Sequence, residues 1–266
     1  MESSFDQVAS KYDHEFVHSP IGRFQRHRVW SYLEKYFRHK QTLEILELGC
    51  GTGEDALWMA NMGHNVMATD TSEKMIEIAA GKAKRSDNKA NVSFTILDLE
   101  DINAYPEDRS FDMVFSNFGG LNCVSPGSLG SIMDQAFEML NPGGRFVMVL
   151  MSQFCLWEWF YFRMKGNKEA SVRRKGGGPL DVTLGGSAVK TWFYSPAGIK
   201  ALAGEKFRVK KARPVGFFIP PSYLNNYFRN KSRMLGLLNN LERLSGGIGK
   251  MAGISDHFLV ELEVQK

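Results

Sequence analysis

From Leu43 onward, short apolar runs of strand length alternate with stretches whose apolar residues recur at helical spacing. The first run, residues 43–48, enters a glycine-rich turn, and a helix over 54–62 follows and stops at Gly63. Residues 65–70 read as a second strand, after which Ser72 caps a helix over 73–84. Residues 92–97 and 111–116 read as strands three and four. A helix over 129–140 ends at the breaker Asn141-Pro142-Gly143-Gly144, and a fifth strand covers 145–150. This alternation predicts an α/β fold built on a parallel sheet with crossover helices.

Beyond Met151 the rhythm is lost. Residues 151–194 are aromatic and basic, with a hairpin expected at 181–184 and 188–193 about Gly185-Gly186-Ser187. Ser195-Pro196 opens a helix to about 206, a strand follows over 207–218, and the last strand is 257–264. Residues 219–255 read as irregular or helical, and the first forty residues as two helices, 5–16 and 22–38. No repeat or low-complexity tract interrupts the chain.

At 266 residues, with 43% hydrophobic and 23% charged, the chain suits one large α/β domain with or without a subdomain. Residues 1–6 have no basic stretch ahead of an apolar core, so no secretory leader is expected. The most apolar window, 154–162, is interrupted by Glu158 and far shorter than the roughly 20 residues of a membrane span. Cys50, Cys123 and Cys155 are too widely spaced for a disulfide framework or a metal knuckle. A cytoplasmic protein without a metal or integral membrane association is expected.

The candidate chemistry lies at the strand tips. Strand one runs into Glu47-Leu48-Gly49-Cys50-Gly51-Thr52-Gly53, and glycines at i, i+2 and i+4 let backbone approach a ligand that any Cβ would block. A dinucleotide fingerprint spaces its glycines i, i+2, i+5 and aims a helix N-terminus at a pyrophosphate. Here the spacing differs, and Glu47 would repel a pyrophosphate but suits a cation. Asp70, with Thr71 beside it, closes strand two in position to accept ribose hydroxyls. Asp98, followed by Leu99, ends strand three where it can accept from an adenine amine. Three acids beside a glycine loop describe a pocket for an adenosyl group without phosphate.

With Phe111-Asp112-Met113-Val114 and Leu140-Asn141-Pro142-Gly143-Gly144 added, the chain resembles the class I S-adenosylmethionine (SAM)-dependent methyltransferase superfamily over about residues 40–151. It is most similar to the small-molecule branch that includes the ubiquinone/menaquinone-pathway type. The resemblance implies a Rossmann-like, seven-stranded, mostly parallel sheet with an antiparallel last strand, helices on both faces and a cap over the strand C-terminal ends. It implies an N-terminal helical lid over 1–40, a SAM-binding core at 41–151, and a cap insertion at 152–194. Residues 195–266 would complete the core, with a second cap insertion at 219–255. It also implies that SAM is the cofactor and S-adenosylhomocysteine the product. Glu47, Gly49, Cys50 and Gly51 would line the methionine part, and Asp70 and Thr71 the ribose. Met75, Asp98 and Leu99 would meet adenine, and Asn117 and Phe118 the floor beside the sulfonium. Tyr12 and Arg26 are weaker candidates for a lid and a carboxylate contact.

Methyl transfer from a sulfonium is an in-line displacement, so alignment supplies much of the acceleration, with effective molarities that reach about 10⁵ M. A base is not obligatory, but oxygen or carbon acceptors often use one. If the last strand is antiparallel, His257 starts it at the active-site rim and becomes the catalytic candidate. A histidine packed at a strand end is the competing structural reading. The cap carries the only substrate information: seven cations against three acids in 151–194, and five against one in 219–255, beside the aromatic run Phe154 to Phe162. Arg173-Arg174-Lys175, followed by three glycines, reads as a mobile gate or an inert loop.

The leading expectation is therefore methyl transfer to an O, N or C atom of a small molecule, anionic and partly apolar. An RNA or tRNA methyltransferase is the rival, favoured by the basic cap. It is disfavoured because Ser116-Asn117-Phe118-Gly119 replaces the Asn/Asp-Pro-Pro-aromatic block of enzymes acting on base amino groups. A SAM-binding protein without turnover is the other alternative. The sequence leaves oligomeric state open.

Overall fold

The computed structural model describes residues 5–38, 41–85, 91–104, 110–184, 187–245 and 247–266. Seven strands, β1 (Glu44–Leu48), β2 (Asn65–Asp70), β3 (Val92–Ile96), β4 (Phe111–Ser116), β5 (Leu140–Met151), β8 (Phe207–Val215) and β9 (His257–Val264), form one sheet. Their order is β3-β2-β1-β4-β5-β9-β8, and β9 alone runs against its neighbours. A separate hairpin pairs β6 (Leu180–Leu184) with β7 (Ser187–Thr191).

Successive residues of the central strands serve opposite faces, as the period of two requires. Leu46 and Leu48 of β1, with Phe146, Met148 and Leu150 of β5, join one core with α5 (Pro126–Met139) and α7 (Pro196–Ala203). Ile45, Val147 and Val149 join the other, with α2 (Pro20–Phe37) and α3 (Glu54–Asn61). Burial on both faces is why these strands are nearly continuous apolar runs rather than alternating ones. The remaining helices are α1 (Ala9–Tyr12), α4 (Glu73–Ala83), α6 (Leu156–Met164), α8 (Asn225–Phe228) and α9 (Ser232–Ser245). Strand order reverses between β1 and β4, and their carboxyl ends open the crevice where ligands of such sheets bind.

Several elements depart from the expected bounds for identifiable reasons. α5 starts at Pro126, because Ser125 caps it by accepting from the Ser128 N–H and Pro126 suits the first helical position. Asn141-Pro142-Gly143-Gly144 ends that helix but lies inside β5, where pairing with β4 shifts register between Phe111 and Met113. The expected first helix is a turn, the short α1 and a π-helical turn, Asp13–Val17. β8 ends at Val215 rather than 218. The hairpin forms one to two residues from its expected bounds, and Gly185-Gly186 of its turn lies outside the described residues.

Candidate functional site

The loop after β1 is shaped by its glycines. Gly49, Gly51 and Gly53 have φ of +67°, +54° and +77°, the left-handed region that side chains rarely adopt. A Cβ on Gly53 would fall 2.8 Å from Ala79 Cβ, so that glycine also lets α4 approach. Cys50 N–H donates to Thr69 O at 2.8 Å, and Gly51 N–H to Asp70 Oδ2 at 2.8 Å, tying the loop to β2. Ser72 N–H donates to the other Asp70 oxygen at 2.9 Å. Burial raises the Asp70 carboxyl, opposed by the N–H donors of Ser72, Gly51 and Thr71. Cys50 is a buried thiol pushed well up by that burial, hence no nucleophile.

Glu47 is 1% exposed, and its Oε2 has no hydrogen-bond partner among the described residues. Burial raises its carboxyl well above the ordinary value; Asp55 and Asp70 add to this and Arg26 opposes it. Asp55, which sequence reasoning missed, collects the site's donors. It accepts from Arg26, from Trp30 Nε1 at 2.6 Å and from Asn117 Nδ2 at 2.9 Å. Its sequence signal was an acid one place into the helix after the glycine loop, indistinguishable from its exposed-face neighbour Glu54. Burial alone would lower the Arg26 guanidinium, but Asp55, Tyr12 and Glu54 together outweigh it, and the net shift is upward.

Asp98 is exposed, and its Oδ1 accepts from Glu100 N–H at 2.9 Å in a local turn. Leu99 reaches inward: a Cβ on Gly49 would meet its Cδ2 at 3.8 Å. Met75 is buried against Val8 and Ala9, with Phe5 and Tyr12 packed alongside. The N-terminal segment is fastened over the loop by Ser72 Oγ donating to Asp6 and Thr52 Oγ1 donating to Asp13, both at 2.5 Å. Tyr12 lies 3.6 Å from where a Gly51 Cβ would sit, and burial pushes its phenol up. Tyr12, Arg26, Glu47, Gly49, Gly51, Asp70, Asn117 and Phe118 thus share the β1/β4 crevice, Asp98 stands at its edge, and Thr71 is exposed in the turn after β2.

A cavity of about 180 Å³ adjoins them, walled by Tyr12, Phe16, Phe118, Met151, Val182 and Val189, with Gln25, Arg26 and His257 as polar members. The described non-glycine residue with positive φ is Phe118, at +38°, a conformation that costs about 1–3 kcal/mol and concentrates at functional sites. Its ring meets Arg26 at 5.6 Å and the edge of His257 at 5.2 Å. His257 Nδ1 lies 3.1 Å from Asp256 Oδ2 as a charge contact without hydrogen-bond geometry, and that oxygen accepts from Gln25 Nε2 at 3.1 Å. Asp256 Oδ1 accepts from Arg174 at 2.9 Å. Burial pushes the Asp256 carboxyl up, but His257 and Arg174 outweigh it and hold it far below the usual range. Arg174 and Arg173 also pair with the buried Glu158. Where a mobile gate or an inert loop was expected, Arg173 and Arg174 lie in a 3-10 helix, Ala170–Lys175, and pair with buried carboxylates.

Residues 45–144 match the methyltransferase-domain family. A demethylmenaquinone methyltransferase of Leptospira interrogans is 30% identical over 152 residues, 55% of this chain and 58% of the relative. A tRNA 5-carboxymethoxyuridine methyltransferase of Escherichia coli K12 is 26% identical over 54% of each chain. The chain therefore spans little more than half the length of these curated relatives. In fold it is similar to the CcbJ methyltransferase of Streptomyces caelestis, at TM-score 0.63 and 17% identity, covering 100% and 99% of the two chains.

Proposed function

We infer, from the match of residues 45–144 to the methyltransferase-domain family, that this chain is a class I SAM-dependent methyltransferase that methylates an O, N or C atom of a small acceptor. The observation that carries the reading is Glu47, a buried carboxylate with an unpartnered oxygen beside the bare backbone of Gly49 and Gly51. A cationic nucleoside satisfies that oxygen; a phosphorylated one would not.

Gly49, Cys50 and Gly51 would lie under the methionine part of SAM. Asp70, with Thr71 beside it, would use its remaining lone pairs on the ribose hydroxyls, and Asp98, Leu99 and Met75 would frame adenine. Arg26, already held by Asp55, fits a carboxylate contact through the charge it presents to the cavity. When bound, SAM supplies a methyl group on a sulfonium. This chain's own contribution is alignment: Tyr12, Asn117 and Phe118 fix where the acceptor meets that methyl, and the closed N-terminal segment excludes water.

His257 is our candidate for accepting the acceptor's proton. It borders the cavity, and Asp256, anchored by Arg174 and Gln25, orients its ring. The mostly apolar cavity wall supports a small acceptor of partly apolar character, the class to which the quinone-type relative's substrate belongs. The RNA reading has the tRNA-modifying relative in its favour. Against it, Arg173 and Arg174 are consumed by Glu158 and Asp256 rather than offered to phosphates. The first forty residues act as a lid in this reading, and 152–194 and 219–255 as caps.

Calorimetry tests the premise. Wild-type protein is expected to bind SAM and S-adenosylhomocysteine. Asp70→Ala should lose about a hundredfold in affinity, as two charge-assisted hydrogen bonds are removed, while still unfolding cooperatively at a lowered melting temperature because the Gly51 and Ser72 N–H groups lose their acceptor. Folded wild-type protein giving no heat with either ligand rejects the assignment. Binding without transfer to any acceptor would leave the non-catalytic alternative.

A further inference from the structure

The outer face of α9 carries an order that chance exposure does not give. Met234, Leu237, Leu241 and Leu244 fall at i, i+3, i+7 and i+10, one stripe of an α-helix. All four are exposed, Leu237 by 67% and Leu244 by 78%. The adjoining face is already satisfied. Leu235 and Leu238 pack with Ile219 and Phe228, and the buried Glu242 accepts backbone N–H groups of Gly216 and Phe218 at 2.8 and 2.6 Å. The apolar arc is therefore wider than its packing needs, and only its inner part has a partner among the described residues.

Charge surrounds the stripe with one sign. Residues 229–250 contain Arg229, Lys231, Arg233, Arg243 and Lys250, and their one acid, Glu242, is turned inward. On α8, Tyr227 is 63% exposed, and the Lys231 ammonium lies 3.1 Å over its ring. Apolar stripe, flanking cations and an amphipathic aromatic are the components of a helix that lies in a bilayer interface.

We propose that α9 docks this protein on an anionic lipid surface. The leucines enter the acyl boundary while the flanking cations meet anionic headgroups, each contact adding attraction that salt screens. A second copy of the chain fits poorly, because a two-fold interface would set these cations against themselves with no exposed acid in the segment to answer them. A nucleic acid would leave the aliphatic stripe without bases to stack on. Ser222, just before α8, belongs to the cavity wall. The docking is independent of methyl transfer and stands or falls by itself.

The test is co-sedimentation of the full chain with vesicles of phosphatidylglycerol mixed into phosphatidylcholine, and with phosphatidylcholine alone, at low and high salt. Light scattering without lipid runs in parallel. Wild-type protein should pellet with the anionic vesicles and release as salt rises. Leu237→Glu with Leu244→Glu should lower partitioning at least about tenfold, the worth of burying one leucine. Arg229→Glu with Arg233→Glu should abolish the preference for phosphatidylglycerol. Wild-type melting curves and S-adenosylhomocysteine affinity in both variants show that the fold is intact. Absence of wild-type partitioning, equal partitioning by the leucine variant, or a dimer that the leucine variant dissociates would each overturn the proposal.

Discussion

At the scale of single residues, the site is a set of buried charges whose balance depends on pH. Burial raises the Glu47 carboxyl, so its neutral form suits the ligand-free fold; that contribution is full below the ordinary value of 4.5 and is lost as pH rises. Glu47→Gln should therefore raise the melting temperature relative to wild type at pH 8, with little gain at pH 4, while weakening SAM binding. An equal effect at both pH values would show that burial is not the dominant cost. Asp256 has the opposite sign. Its depressed carboxyl stabilises the fold above its ordinary value of 3.8, and the contribution fades as pH falls below it. Arg174→Ala should cost about 3–5 kcal/mol near neutral pH by leaving Asp256 and Glu158 underpaired, read as a shift in urea midpoint. Because His257 leans on Asp256, the same variant should distort the pH–rate profile of transfer. Gly51→Val forces a branched side chain into φ +54° and should cost about 1–2 kcal/mol as well as SAM affinity. Glu47, Gly51 and Asp70 were legible because each stands at a strand tip at motif spacing. Asp55 and Arg174 were not, since their meaning comes from partners far along the chain: Arg26, Trp30 and Asn117 for one, Asp256 for the other.

At the scale of elements, helices begin where serine precedes proline, a mark taken as a start only at Ser195-Pro196, while the helices expected from 22 and 129 begin at Pro20 and Pro126. Ser19-Pro20, Ser125-Pro126 and Ser195-Pro196 each start one, the serine accepting from the N–H three residues on. Parallel strands were readable as dense apolar runs. The breaker at Asn141 to Gly144 misled because a β-bulge accommodates in a strand what a helix rejects. The cap elements carried no such marks. α9 depends on Glu242, whose carboxylate gathers N–H groups from Gly216, Phe217, Phe218 and Ile219 at 2.6–3.3 Å and so pins the helix to the end of β8. Glu242→Ala should destabilise the protein by about 3 kcal/mol, since buried donors are left unpaired. Denaturant unfolding measures the loss; a change under about 0.5 kcal/mol would deny the pin its role.

At the scale of the whole molecule, three separated stretches close on one crevice: the N-terminal segment through Asp6 and Asp13, the hairpin through Val182 and Val189, and the start of β9 through His257. Ligand binding should be felt in all of them. Hydrogen exchange with S-adenosylhomocysteine is expected to slow amides in residues 5–17 and 72–83 together, because the Ser72–Asp6 contact joins them. Protection confined to the glycine loop would mean the segment closes without regard to the ligand. This convergence is also why fold class was legible and acceptor was not: local periodicity fixes strands and helices, whereas cavity shape is a joint product of distant segments.

The placement of β9 governs how the molecule can be assembled. It is the wedge between β5 and β8, and among the described residues β8 has no other neighbour in the sheet. During synthesis β8 emerges first and must wait, unattached, while β5 keeps a bare edge of the kind that recruits foreign strands. A ribosome stalled before residue 257 therefore holds an aggregation-prone intermediate rather than a smaller stable fold. One late strand both seals the sheet and brings His257 to the cavity, so the sheet edge and the cavity wall are completed in the same step.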